Sequence, residues 1–406
     1  MRKHLALFSL LAIVVAPAAF GPLDAQTPNA GRGQALGRLL RKGSQAIPNR
    51  YIVVFHDDAA VASGDYAAVL GRVQTVTRGR GAVPEHVYAV ALRGFAAFMS
   101  EQDAVAISLD PRVAYVEEDS IMMAVALQSN PPAWGLDRIA QRGLPLNYRY
   151  GYTTTGAGVN VYVIDTGIRQ THTQFRGRAR SAFTAINDGR GTADCNGHGT
   201  HVAGTIGASA YGVAKAVTLF AVRVLDCSGS GSTSGVIAGV DWVTSHRVRP
   251  AVANMSLGGG ASSSLDTAVR NSIASGVTYT VAAGNSNLNA SSFSPARVAE
   301  AITVGSSRRT DARSSFSNFG SVVDIFAPGS SITSTWSTSD TATSTISGTS
   351  MAAPHVAAVA ARYLQRHASA SPATVRNALV SASTAGRLTG LPSGTSNRLL
   401  FWSSSQ

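Results

Sequence analysis

In the second half of the chain, short apolar runs rich in branched residues alternate with helix-like stretches. This alternation restricts the fold more than any other feature. After Trp134 the runs 159–164, 217–224, 251–256, 278–282 and 301–304 read as strands, and 234–245 and 265–275 read as helices between them. Strands joined through helices pair in parallel and are covered on both faces. Chemistry in such sheets gathers at the carboxyl ends of the strands. The expected fold class is therefore α/β.

A smaller, differently ordered region precedes it. Residues 51–55 read as a strand, 59–78 as a helix, and 87–92 and 94–98 as strands. A helix then opens at Ser100 on a Ser-x-x-Asp cap pattern, and 113–117 is a last strand. The order β-α-β-β-α-β predicts a ferredoxin-like α+β domain. Residues 26–46 are polar and read as a linker, and a second boundary falls near 123–132.

The first residues form an export signal: Arg2, Lys3 and His4, an apolar run over 5–15, then Ala16-Pro17-Ala18 as a cleavage pattern, with Ala25 as a later option. The run is too short to span a bilayer. A secreted protein without a membrane anchor is expected. Export permits a disulfide, and Cys195 and Cys227 are the only cysteines, so at most one intramolecular bridge can form. The net charge is +12, but the arginines are scattered singly without interleaved aromatics. Nucleic acid is therefore not the expected partner, and solubility or a weak pull on acidic substrates accounts for the charge.

Three motifs carry chemistry. Asp165 follows the run 159–164 in Asp-Thr-Gly, at a strand's carboxyl end. The aspartic-protease reading needs a second Asp-Thr-Gly, and none exists. His198 lies between glycines at an expected helix start, in His-Gly-Thr-His-Val-Ala-Gly. Cys195, His198 and His201 have a zinc-like spacing, but no further Cys/His cluster completes such a site. Ser350, in Ser-Gly-Thr-Ser-Met-Ala-Ala-Pro-His, opens a long apolar helix whose free N–H groups favour an anion. Taken alone, it reads equally as a cap. The elbow Gly-x-Ser-x-Gly fails because Ala352 replaces its second glycine. A serine needs a base to take its proton, and the base needs a carboxylate to fix its tautomer. Asp165, His198 and Ser350 supply all three roles, in that chain order.

From about Trp134 onward the chain resembles a subtilase of the proteinase K group, on its aqualysin-like branch. The matching stretches are VNVYVIDTGI, DCNGHGTHVAGTI, YGVAKAV, AVRVLDCSGSGSTSGVIAGVDWV, NMSLGGG, VAAGNSN, SFSNFGS and SGTSMAAPHVA. Residues 50 to about 123 resemble the inhibitory propeptide of that family. The resemblance implies a subtilisin-like sheet and the boundaries 1–25 signal, 26–46 linker, 47–125 propeptide and 126–406 catalytic domain. It implies a monomeric serine endopeptidase that acts on protein substrates, and a propeptide that serves as intramolecular inhibitor and is cut off in cis between Met123 and Leu127, with Ala126 first in the mature chain.

The same resemblance implies the remaining site residues. Asn285 donates to the oxyanion. Gly229, Ser230 and Gly231, with Ser256, Leu257 and Gly258, grip a substrate strand between them. Ala282, Ala283 and Gly284 wall a pocket for apolar or aromatic P1 side chains. Cys195 and Cys227 pair, while Ser291 and Val322 replace a second disulfide of the branch. Structural Ca²⁺ is expected on the Asp324 carboxylate with the carbonyls of Ala299 and Ala301. A second family calcium site is expected to be incomplete, since Ala140 and Gly143 replace aspartates although Asp137 and Gln141 remain. A catalytically dead binding protein would lack a triad member or Asn285, and a serine esterase would share the triad.

Overall fold

The computed structural model describes residues 38–42, 46–57, 64–120 and 126–404. The predicted signal lies outside the described residues, as do most of the linker and positions 123–125 of the expected cleavage window. The chain divides into two units, 1–122 and 123–406.

The first unit runs β1 (Leu39–Leu40), β2 (Ala46–Phe55), α1 (Tyr66–Thr77), β3 (Val83–Tyr88), β4 (Gly94–Phe98), α2 (Glu101–Ser108) and β5 (Val113–Ser120). Its sheet has the order β1-β5-β2-β4-β3, antiparallel except for β1 beside β5. Without β1 this is the expected ferredoxin-like arrangement. Helix α1 places Val69, Val73 and Val76 on one buried face against Val53, Phe95 and Val116. Asp65 caps α1, and Ser100 caps α2 through the Asp103 N–H at 3.1 Å. The structure departs from the sequence reading at several bounds: β2 begins at Ala46 rather than 51, and α1 begins at Tyr66. Strand β1 lies in the stretch read as linker. The strand expected over 87–92 is displaced to Val83–Tyr88, because pairing with β4 begins at Tyr88 opposite Gly94 and leaves the residues between as the connection, with Val90 exposed.

The second unit contains β6 (Ala126–Ser129), α3 (Trp134–Ile139), β7 (Arg149–Tyr152), β8 (Asn160–Asp165), β9 (Ala179–Thr184), α4 (His198–Gly207), β10 (Thr218–Arg223), α5 (Thr233–His246) and β11 (Ala251–Met255). It continues through β12 (Gly259–Gly260), α6 (Ser263–Ala274), β13 (Thr278–Ala282), β14 (Phe293–Ser294), β15 (Ile302–Ser307), β16 (Ile325–Pro328), β17 (Ile332–Thr335), β18 (Thr343–Ile346), α7 (Thr349–Arg366), α8 (Pro372–Ala382), β19 (Thr384–Ala385) and β20 (Arg398–Leu399). Nine strands form one sheet in the order β19-β20-β16-β15-β13-β11-β8-β10-β9, parallel except where β19 meets β20.

Strand β8 shows why its run is continuously apolar. Side chains alternate across a strand. Val161 and Val163 join the core of α4 and α7, whereas Tyr162 and Ile164 join the core of α5 and α6. Each such burial stabilises by roughly 1.5–3 kcal/mol. The carboxyl end of β8 lies between those of β10 and β11, with Arg223 opposite Asp165 and Met255 opposite Ile164.

The charge reading needs one correction. Arg138, Arg223 and Arg362 are fully buried, so part of the positive charge is internal. Arg138 pairs with Asp311, and Arg223 with Asp188.

Candidate active site

Asp165 is the last residue of β8 and is fully buried. Its Oδ1 accepts from the Thr166 N–H at 2.7 Å and from His198 Nδ1 at 2.8 Å, and its Oδ2 lies 3.0 Å from the same nitrogen. Donation through Nδ1 leaves Nε2 as the basic nitrogen. His198 is the first residue of α4. Gly197 before it has φ +115°, and the Trp336 indole fills the space a Cβ would need. A Cβ on Gly199 would meet the Gly167 carbonyl oxygen at 2.2 Å. Gly199 therefore lets the helix start press against the turn after β8, while Gly197 makes room for Trp336. Burial alone would lower the His198 pKa, but the charge and hydrogen bond of Asp165, then the charge of Asp194, hold it above the usual histidine value.

Ser350 is the second residue of α7, and its hydroxyl donates to the Ser256 carbonyl at 3.1 Å. The Ser256 hydroxyl returns a bond to the Ser350 carbonyl at 2.8 Å. The Asn285 side-chain oxygen accepts from the Thr349 N–H and hydroxyl, each at 2.8 Å, which fixes the amide and frees its NH₂. A Cβ built on Gly348 would lie 3.4 Å from Asn285 Nδ2 and 3.6 Å from the Ser350 backbone nitrogen. Two nitrogens able to donate thus lie near one small space beside the serine.

A cleft of about 580 Å³ is lined by His198, by Gly229, Ser230 and Gly231, and by Ser256, Leu257 and Gly258. Ala282 and Ala283 are buried where β13 ends, and Gly284 donates its N–H to Thr349 Oγ1 at 3.1 Å. These three do not line that cleft.

Cys195 and Cys227 form a disulfide. It joins the segment before His198 to the segment before Gly229. The zinc alternative is thereby removed: Cys195 is bonded to Cys227, His198 Nδ1 faces Asp165, and His201 Nε2 bonds the Ile332 carbonyl at 2.9 Å.

The calcium seat expected at Ala299, Ala301 and Asp324 does not fit its residues. Asp324 Oδ2 accepts from the Thr303 N–H at 2.8 Å, and Oδ1 holds the Arg376 guanidinium from α8. A cationic side chain therefore stands where the ion's charge would be. At the second position Asp137 accepts from the N–H groups of Asn147 and Tyr148, and Gln141 donates to the carbonyls of Gly143 and Pro145. Both side chains close a loop of the protein itself.

Comparison with known proteins agrees with this architecture. Residues 156–399 match the subtilase family, and residues 50–124 match peptidase inhibitor I9. The chain is 55% identical over 366 residues to an extracellular serine proteinase of Thermus sp. (strain Rt41A), covering 87% of this chain and 89% of that protein. It is 52% identical over 365 residues to alkaline serine exoprotease A of Vibrio alginolyticus, covering 88% of this chain and 68% of that protein. The crystal structure of a cold adapted subtilisin-like serine proteinase aligns with a TM-score of 0.64 at 55% identity, covering 66% of this chain and 97% of that one. With its sheet, its inhibitor domain and these relatives together, the chain belongs to the subtilase family of serine endopeptidases.

Proposed function

We propose that the protein hydrolyses internal peptide bonds of other proteins outside the cell, with Ser350 as nucleophile, His198 as base and Asp165 as its orienting carboxylate. The observation that supports the reading is that the Asn285 amide nitrogen and the Ser350 backbone nitrogen lie near one space at the start of α7, while His198 is held by a buried carboxylate. The hydroxyl turns from the Ser256 carbonyl to His198 Nε2 and gives up its proton as Oγ attacks the substrate carbonyl. The oxyanion forms in the space between the two donors. His198 then protonates the departing amine, and water repeats the sequence on the acyl-enzyme.

The segments 229–231 and 256–258 offer backbone to an extended peptide, which supports broad selectivity. The small residues 282–284 support an apolar or aromatic P1 side chain. Extracellular relatives support secretion. Structural calcium is common among subtilases, but with Arg376 on Asp324 the function proposed here assigns no ion to that carboxylate.

The inhibitor domain, proposed as 47–125 after a signal (1–25) and linker (26–46), holds the enzyme inactive until the chain cuts itself between Met123 and Leu127, leaving a monomeric domain that begins at Ala126. A large parallel sheet is slow to assemble, which supports a templating role for that domain. The test is Ser350→Ala. The variant should accumulate uncut, and cleavage of a denatured protein should fall by about 10⁶-fold. Normal maturation of the variant without added protease would refute self-processing, and retained hydrolysis would refute the nucleophile.

A further inference from the structure

Behind the Asp165–His198 pair lies a second buried carboxylate that the chemistry above does not use. Asp194, in the loop before α4, is about one-tenth exposed, and no cationic side chain pairs with it among the described residues. Instead it accepts five hydrogen bonds: Oδ1 from Thr166 Oγ1 at 2.9 Å, Asn196 N–H at 3.0 Å and Gly197 N–H at 2.9 Å, and Oδ2 from the Thr200 N–H at 2.9 Å and Thr200 Oγ1 at 2.5 Å. Both hydroxyls have their direction fixed. Thr166 Oγ1 accepts from the Gly199 N–H at 2.9 Å, and Thr200 Oγ1 accepts from the Arg169 N–H at 3.0 Å, so each has its own proton free for Asp194.

The donors fall on two segments. Thr166 follows Asp165, while Asn196, Gly197 and Thr200 surround His198. The first N–H groups of α4 are satisfied by this one assembly: His198 by Asn196 Oδ1, Gly199 by Thr166 and Thr200 by Asp194. A plain cap could be an amide. At this position an asparagine NH₂ would face either the three donors on Oδ1 or the two on Oδ2. The site calls for a side chain whose two oxygens both accept, which a carboxylate supplies and an amide does not.

We propose that Asp194 is a positioning residue for the catalytic pair, tying the His198 helix start to the turn after Asp165 and placing a second negative charge beside the imidazole. The inference rests on His198 being the base. The titratable and charged groups around that ring are Asp165 from β8, Asp194, and His201 one turn along α4, with Arg223 of β10 opposite Asp165. The raised pKa of His198 is consistent with the added charge.

The experiment uses Asp194→Asn and Thr166→Val. Asp194→Asn should shift the acidic limb of the kcat/KM profile down by about half a pH unit or more and cut kcat about tenfold, with KM little changed. Thr166→Val keeps the charge and loosens the tie, so kcat should fall while the limb stays in place. The same shift should appear in an NMR titration of His198 in the full-length Ser350→Ala chain, which needs no turnover. An unmoved His198 titration in Asp194→Asn overturns the inference, as does a limb that moves equally in both variants. If Asp194→Asn does not fold, Thr166→Val and Thr200→Val carry the test, and unchanged kcat in both overturns it. His198→Ala separates the two ideas: retained activity there defeats the base assignment itself, whereas an inactive His198→Ala beside an unshifted Asp194→Asn defeats only the role of Asp194.

Discussion

The two units hold their charges differently. The inhibitor unit places several ion pairs at the surface, Arg41 with Glu101 and Glu118, Lys42 with Glu117, and Arg50 with Glu85, each with at least one exposed partner, although Asp110 is buried under Arg112. The catalytic unit has exposed pairs too, such as Arg270 with Glu300, but it also buries arginines. The Arg138 side chain is 0% exposed and that of its partner Asp311 is 9%; the Arg223 side chain is also fully buried, but its partner Asp188 stays 29% exposed. Exposed pairs are screened by salt and contribute little. Buried pairs are costly to break on one side, because the other charge is stranded. Most of these contacts in the inhibitor unit are thus ones that water can replace, whereas the catalytic unit holds one pair, Arg138 with Asp311, that water cannot.

The sharpest way to break this contrast is Asp311→Asn, which leaves Arg138 buried and unpaired. It should destabilise the catalytic unit by about 3–5 kcal/mol, measured by denaturant unfolding of the Ser350→Ala chain. A loss no larger than that of Arg41→Ala would erase the distinction. Next in size is the disulfide, which closes a span of 32 residues. Reduction should cost the catalytic unit about 3–4 kcal/mol and leave the inhibitor unit unaffected. Hydrogen exchange read by mass spectrometry reports the two units separately.

Acid should separate them further. Burial pushes His201 and His355 down to about 4, so both stay neutral when folded. The unfolded chain binds protons below its ordinary histidine value of about 6.5, so stability falls as pH drops from there toward 4, by about 1.4 kcal/mol per pH unit for each histidine. In the inhibitor unit the relevant groups are Glu101 and Asp110, held below their ordinary values by Arg41 and Arg112 respectively. Their contribution is complete above the carboxylate range and is lost only below about pH 4. Exchange at pH 5 should therefore quicken in the catalytic unit first. The smallest effect concerns Asp324. Asp324→Asn should leave the response of Tm to added calcium as it is in the parent, and loss of that response would restore the carboxylate as a ligand.

Much of the site was legible because strand ends and helix starts leave local marks. The run ending at Asp165, the glycines around His198 and the small-residue helix after Ser350 each carry their own pattern. Other features left no such mark. Asp194 is one acidic residue in a loop, and its importance appears only when Thr166 and Thr200 are folded around it. Arg376 is 52 positions from Asp324, and no periodicity links them. The buried arginines read as surface charge, since a side chain's partner is a tertiary fact. The hairpin β17–β18 also escaped, because Thr and Ser dilute its apolar alternation.

Gly348 carries a last consequence. Its φ of 163° is ordinary extended backbone, open to any residue, and an added Cβ would make only normal contacts. Folding has no need of a glycine there. Hydrolysis, on the proposed reading, does, because a methyl group would crowd the two nitrogens assigned to the oxyanion. A lineage of such enzymes could therefore lose its reaction through one added carbon while keeping its fold, its cleft and its solubility. A survey of thermal stability would pass that variant as healthy, and only a substrate would reveal the loss.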